Sequence, residues 1–232
     1  MNVLVVDVGG SHVKVLASGQ KRSRKVVSGP TMTAEQMVAA ARELAADWKY
    51  EAVSIGYPGA VRADRPVAEP HNLGPGWVGF DFERAFGCPV KLINDAAMQA
   101  LGSYDGGHML FLGLGTGLGS ALVVDGWVVP LELAHLPYKK GKTYEDYVGA
   151  RGRLRLGNKK WRAAVADVCE LLRKAMQADD VVIGGGDARH IKALPEGARL
   201  GDNANAFIGG YRLWQHSDVK HTPGARAWRR KA

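Results

Sequence analysis

The reading of the chain turns on Leu112–Ser120, LGLGTGLGS, where glycine recurs at every second position from Gly113 to Gly119. A run without β-carbons lets backbone N–H groups approach a phosphate closely. Two common phosphate loops are excluded by the residues around it. A Walker A loop ends in Gly-Lys-Ser/Thr, whereas this one ends Gly119-Ser120 without a lysine. A dinucleotide fingerprint needs a third glycine where Leu118 or Ser120 falls, and a helix directly afterwards. After Ser120 the chain runs ALVVDGWVV, β-rich and too short before Asp125-Gly126 to make that helix. The stretch reads instead as a hairpin: HMLFLGLG, a glycine turn, then SALVVDG.

The N-terminus repeats the pattern. VLVVDVGG passes through Ser11 into HVKVLASG, and Leu4–Gly9 lies over Leu110–Gly115. A repeat at about half the chain length predicts two units of similar topology, each offering a glycine hairpin to a cleft between them. Two unrelated tight turns account for either copy alone, but poorly for both. A third cluster lies in DDVVIGGGDARHI, where a short apolar strand runs into Gly184-Gly185-Gly186 and Asp187 is placed to cap a following helix. This unit could take a nucleotide's ribose or base against backbone.

The chain has 232 residues, enough to bury a sizeable core as one large domain or two small ones. No apolar run reaches the length of a membrane helix, and Asp7 interrupts the early apolar run that a signal peptide would need. Cys88 and Cys169 stand far apart, without the CxxC spacing of a zinc site, as expected in a reducing cytoplasm. The net charge of +8 gathers at Lys21–Lys25, at Arg151–Arg162 and in the tail from His221. No nucleic-acid motif accompanies these patches, and aromatic interleaving is sparse, so nucleic acid and membrane are not expected partners.

Together DVGGSHVK, SIGYPGAV, HNLGPGW, PVKLINDA, LGLGTGLGSALVVDG, ELAHL and VVIGGG resemble, in order, the motifs of the ROK (repressor, open reading frame, kinase) sugar kinases. The resemblance is nearest to their polyphosphate glucokinase branch and runs from Val3 to about Trp214. It implies an α/β fold of two RNase H-like, actin/hexokinase-type domains around a central cleft. The smaller would hold residues 1–105 with a returning C-terminal helix at 204–215; the larger would hold 106–203. Residues 216–232 read as a basic, poorly ordered tail. With the first strand read from Val3, the N-terminal helix-turn-helix of the family's repressors is not expected. Family members are commonly homodimers.

Phosphoryl transfer requires positioning and charge neutralisation more than covalent chemistry. Asp7, just before Gly9-Gly10, is the candidate for holding Mg²⁺ through water, against the alternative of accepting bonds from its own turn. Gly9, Gly10, Ser11, Gly115, Thr116 and Gly117 would cradle phosphoryl oxygens. Lys14 either adds charge there or is a solvated strand residue. Gly184, Gly185 and Gly186 would serve a nucleotide. Asp95 at a strand–helix junction is by itself commonly an N-cap; the resemblance makes it the general base and Asn94 a sugar-binding neighbour. Glu132 and His135, at i,i+3, would face one way on a helical turn. They suit two adjacent hexose hydroxyls better than a di-iron site, which needs a second such pair. A helix-start salt bridge is the bland alternative. Gly59, Asn72 and Glu145 resemble further sugar contacts.

The cysteine-rich zinc segment that many family members carry after the histidine is replaced here by LPYKKGKTYEDY, so no zinc is expected. After NDA the chain runs Ala97-Met98-Gln99, less acidic than in the polyphosphate branch. The sequence therefore points to a cytoplasmic kinase moving a phosphoryl group from ATP or polyphosphate to a hexose, with glucose favoured. The basic run at 151–162 leans towards polyphosphate, and the third glycine cluster towards ATP. The alternatives are a kinase for another small alcohol or an amino sugar, and a sugar- or nucleotide-sensing protein without turnover.

Overall fold

A computed structural model describes residues 1–215 and 220–221. The chain opens with β1 (Val3–Val8), β2 (His12–Ala17) and β3 (Arg24–Val27), an antiparallel meander. Helix α1 (Ala34–Leu44) comes next, started by a capping box in which Thr33 and Gln36 each take the other's backbone N–H. Then come β4 (Ala52–Tyr57), a two-residue hairpin of β5 (Val61–Arg62) and β6 (Arg65–Pro66), helix α2 (Phe82–Phe86), β7 (Val90–Asn94) and helix α3 (Asp95–Ser103). The first sheet has the order β3-β2-β1-β4-β7, with β4 parallel to both β1 and β7.

The second half repeats this plan. A meander of β8 (His108–Leu114), β9 (Leu118–Val124) and β10 (Trp127–Leu131) leads to helices α4 (Tyr144–Val148) and α5 (Ala150–Ala175). Next are β11 (Asp180–Gly184), a 3-10 turn at Gly186–His190, β12 (Ala198–Leu200), α6 (Asn205–Arg212) and β13 (Lys220–His221). The second sheet runs β12-β11-β8-β9-β10-β13. Setting β13 aside, it matches the first sheet strand for strand, with β8 in the place of β1 and β11 in the place of β4. The expected disorder of the 216–232 tail lies outside the described residues, apart from Lys220–His221, which pair with Trp127–Val128.

Period-two alternation in the two central strands sets the layers. Leu4, Val6 and Val8 face α1 and α2, whereas Val3 and Val5 face α3 and α6. Met109 and Phe111 meet the same α3–α6 layer from the other side, and Leu110, Leu112 and Leu114 face α5. All six residues of β1 are buried. Each fully buried Val or Leu contributes about 1.5–3 kcal/mol, so the strand that ends at Asp7-Gly9 is firmly held. Helices α3 and α6 cross at backbone distance. A β-carbon on Gly102 would overlap the carbonyl of Asn205, and one on Gly209 would overlap that of Met98. Among the described residues no helix is long and apolar enough to cross a membrane.

Candidate active site

The alternation that buries Val3 and Val5 turns Asp7 to the same face, one step beyond the apolar layer. The residue is buried, with 8% of its surface exposed. Lys14, its cross-strand partner in the β1–β2 register, reaches it with Nζ 3.3 Å from Oδ2. Burial raises the Asp7 carboxyl, and the lysine pulls it back down. Lys14 is thus neither a freely solvated strand residue nor uncommitted. The turn beyond is closed by Gly9 N–H donating to His12 O at 3.0 Å. It is braced from β3, with Ser28 Oγ donating to Gly9 O at 2.6 Å and Ser28 N–H to Ser11 O at 3.0 Å. Gly10 abuts Asn72, whose Cβ would lie 3.1 Å from an added β-carbon. The Asn72 loop is itself tied by Glu69, whose carboxylate accepts from the N–H groups of Trp77 and Val78. Trp77 is a core residue, fully buried against Tyr57 and Phe82.

The second hairpin is narrower. Leu114 pairs with Leu118, and Gly115 N–H donates to Gly117 O at 3.1 Å. The chain entering α5 holds its outer side, with Ala150 N–H on Gly115 O at 2.9 Å. Gly184 pairs with Gly113 across parallel strands, so the third glycine cluster lies beside this loop. Gly185 has φ +83° and sits so close to the Leu114 carbonyl that a β-carbon would overlap it. Asp187 does not cap a helix as expected. The short turn there has no side-chain cap, and the buried Asp187 carboxylate pairs with Arg153 of α5 at 3.1 Å. An arginine from a neighbouring helix outcompetes local capping once the carboxylate is buried.

Helix α3 starts between the two halves. A β-carbon on Gly56 of β4 would lie 3.5 Å from the Asp95 Cα, and one on Gly119 of β9 only 3.0 Å from the Ala96 Cβ. Asn94 is the N-cap: its Oδ1 accepts Ala97 N–H at 3.1 Å, and its Nδ2 donates to Gly59 O at 3.2 Å. Capping therefore does not consume Asp95, whose Oδ1 accepts the adjacent Ala96 N–H at 2.8 Å. Burial pushes the Asp95 carboxyl up to about 7, and the negative charges of Asp7 and Glu132 push in the same direction. The three carboxylates thus share one electrostatic neighbourhood.

Glu132 and His135 do not stand on a helix. They flank a single turn after β10, closed by Leu136 N–H on Leu133 O at 3.2 Å, and both are exposed. The chain then forms a small hairpin whose turn, Lys139–Lys142, has positive φ at Lys140 and Gly141. Tyr138 anchors it by donating to Asp167 of α5 and packing against Tyr144 and Tyr147. Glu145 points its carboxylate to the second glycine hairpin, where Oε2 accepts Leu118 N–H at 3.2 Å.

The basic run at 151–162 is not one uniform face. Arg153 pairs with Asp187, Arg162 Nε donates to His190 O, and Arg155 donates to Asp146 O while lying over the Tyr147 ring. Arg151, Lys159 and Lys160 are exposed, and the helix breaks between them at Gly157, φ 72°. Among the described residues no cluster of three or more His, Cys, Asp and Glu is arranged for a metal ion. A single carboxylate, Asp7, remains the donor beside the first loop. That suits Mg²⁺, which keeps several waters and binds through one or two carboxylates plus substrate phosphates.

Sequence reasoning passed over the roles of Gly56, Ser28, Gly119 and the Gly149-Ala150 junction. Gly56 and Gly119 serve as clearances for a helix from elsewhere in the chain, which no local pattern reveals.

Residues 3–130, more than half of the chain, match the sequence profile of the ROK family. Over 141 residues the chain is 30% identical to the bifunctional enzyme NanE/NanK of Brucella melitensis biotype 1, covering 55% of this chain and 27% of that protein. It is 26% identical over 152 residues to the polyphosphate glucokinase of Mycobacterium leprae, covering 59% and 46%. The chain thus spans less than half the length of these curated relatives. The crystal structure of an inorganic polyphosphate/ATP-glucomannokinase from Arthrobacter sp. strain KM superimposes with a TM-score of 0.78 at 22% identity, covering 93% of this chain and 99% of that one. At that identity the likeness speaks for the fold.

Proposed function

This chain belongs to the ROK family, and we propose that it is a sugar kinase transferring a phosphoryl group from ATP or polyphosphate to a hexose hydroxyl, with glucose as acceptor and glucose 6-phosphate as product. The observation that carries the reading is Asp95. Asn94 relieves it of capping, it sits where α3 meets both halves, and its carboxyl is raised to about 7. A base poised near the working pH is what proton removal from an alcohol calls for. The mirrored strand orders support treating 1–105 with 204–215, and 106–203, as two RNase H-like halves of a cleft.

In this reading the acceptor hydroxyl lies against Asp95, held by Glu132, His135, Asn72 and the Gly59–Asn94 corner. The hydroxyl oxygen attacks the terminal phosphorus, the bridging oxygen leaves with the shortened donor, and the hydroxyl proton passes to Asp95. Backbone N–H groups of Gly9, Gly10, Ser11, Gly115, Thr116 and Gly117 take the phosphoryl oxygens, with Lys14 adding charge. Asp7 would hold Mg²⁺, which supplies charge neutralisation on the transferring group. Gly184, Gly185 and Gly186, beside the second hairpin, would receive a nucleotide. Exposed Arg151, Lys159 and Lys160 would track a longer polyanion.

The test is sugar phosphate formation by purified protein with Mg²⁺, comparing ATP and polyphosphate and offering glucose, mannose and an N-acylated amino sugar. Asp95→Asn should lower turnover about 10²–10⁴-fold while sugar affinity is kept. A variant retaining most of its rate removes Asp95 as the base. No product from any pair rules out the kinase reading.

A further inference from the structure

The Gly9–Gly10 peptide of the first turn joins two residues without β-carbons, so the dihedrals on either side of it are unusually permissive. Its carbonyl and its N–H point opposite ways, because they belong to one planar trans unit. In one orientation the Gly10 N–H meets an approaching phosphate. In the flipped orientation the Gly9 carbonyl oxygen does, and it repels one. A group outside the turn has to choose between them.

Ser28 occupies the place from which that choice is made. It directly follows β3, and the pairing of Val27 with His12 sets it beside the turn. Its N–H donates to Ser11 O at 3.0 Å and its Oγ to Gly9 O at 2.6 Å, so one residue holds the carbonyls on both sides of Gly10. The hydroxyl is itself fixed in position. Strand pairing holds the chain before it. After it, Met32 N–H closes a turn on Gly29 O at 3.0 Å, Gly74 N–H donates to Met32 O at 2.9 Å, and Thr33 caps α1. With its carbonyl drawn to Ser28, the Gly9–Gly10 peptide turns its N–H away from β3. That strand is one edge of the sheet, and β7, which leads into Asp95, is the other. Among the described residues neither Gly10 N–H nor Ser11 N–H donates to a protein acceptor, which leaves both for a ligand.

We propose that Ser28 is a positioning residue for the phosphoryl donor, its hydroxyl holding the Gly9–Gly10 peptide in the orientation that presents Gly10 N–H to a phosphoryl oxygen. The inference rests on the kinase reading above and adds to it a residue outside the glycine turn that keeps the turn's donors preorganised. Ser28 itself touches no substrate.

Ser28→Ala removes the hydroxyl and keeps the backbone bond to Ser11, whereas Ser28→Thr keeps both. Binding of tripolyphosphate and of ATP, each with Mg²⁺, is measured by calorimetry on the full chain, with glucose binding alongside. Initial rates follow, using whichever donor supports turnover. Ser28→Ala should weaken donor binding and raise the donor KM about ten-fold, the order expected for losing one N–H bond to a charged oxygen. Glucose affinity in the absence of donor should stay at the parent's value, and Ser28→Thr should bind donor as the parent does. In NMR spectra the Gly10 amide resonance should move when donor is added, and move less in Ser28→Ala. The proposal is overturned by an Ala variant with unchanged donor affinity, or by a Thr variant as weak as the Ala one. It also fails if Ser28→Ala loses glucose affinity in equal measure, which would make Ser28 a brace for the whole site, or if the Gly10 amide responds equally in both proteins. Donor binding without sugar phosphate formation removes the kinase reading, while the donor affinities of the variants still decide the role of Ser28. A parent chain that binds neither donor overturns both.

Discussion

The two glycine hairpins share a topology and differ in chemistry. Superposing the repeat sets Asp7 over Gly113, and the cross-strand partners are Lys14 in the first hairpin and Gly119 in the second. Where β1–β2 places an ion pair, β8–β9 places two residues without side chains. The first hairpin therefore brings charge to the site, and the second brings bare backbone and clearance. Gly119 makes room for Ala96 at the start of α3, so the second hairpin's emptiness is what lets Asp95 approach. In the proposed reading, a repeated topology would thus supply two unlike jaws.

That division is broken most directly by Asp7→Asn, which keeps the shape of the first hairpin and removes its negative charge. We expect turnover to fall about 10²–10³-fold with sugar affinity little changed, read from single-turnover rates and sugar titrations. A variant that works nearly as well would make the two jaws chemically equivalent. The second hairpin should be sensitive instead through its packing against the third glycine cluster. Gly185→Ala places a methyl group at a left-handed φ against the Leu114 carbonyl. The combined strain and overlap should cost about 2–4 kcal/mol of unfolding free energy, measured by urea denaturation. An unchanged midpoint would show that this loop is looser than its contacts indicate.

Asp95 feels both jaws, and its titration is the next test. With its carboxyl raised to about 7, kcat/KM should decline as the pH drops below about 7, when the base becomes protonated. The stability effect has the opposite sense. The folded protein holds a proton that the unfolded chain has released between roughly pH 4 and 7, so Asp95 weakens the fold progressively as pH rises through that window. Asp95→Asn should therefore melt a few degrees above the parent at pH 8, with the difference closing towards pH 4. Equal melting at pH 8 would place the carboxyl in the ordinary range.

The hairpins and the strand–helix junction were legible in the sequence because their signals are local: alternation, glycine at turns, Asn94-Asp95 before a helical pattern. The features that stayed hidden depend on neighbours distant in the chain. The i,i+3 spacing of Glu132 and His135 suits a helix, yet the turn that forms there is set by the tyrosine-anchored hairpin behind it. Asp187 carries a capping residue's chemistry and is taken by Arg153, thirty-four positions away. The basic run reads as one patch, but two of its arginines turn inward because Asp187 and the His190 carbonyl lie beneath them. Glu145 resembles a sugar ligand in sequence, and only the tertiary structure places its carboxylate on Leu118.

The smallest expected effect on stability sharpens the comparison furthest. Gly115 has no atom within 4 Å of where its β-carbon would stand, and its φ lies outside the left-handed region. Gly115→Ala should thus leave the denaturation midpoint within about 0.5 kcal/mol of the parent, in contrast to Gly185→Ala, whose methyl group meets the carbonyl of the neighbouring Leu114. The open space above Gly115 is where a phosphoryl oxygen would approach the loop. The same substitution should therefore raise the donor KM several-fold with the sugar KM at saturating donor unaltered. If the donor KM does not move, the glycine at 115 serves neither fold nor ligand, and the phosphate contacts of the second jaw belong to Thr116 and Gly117 alone. If stability falls instead, the loop is packed more tightly than the Gly9–Gly10 turn, and its glycines are there for the fold.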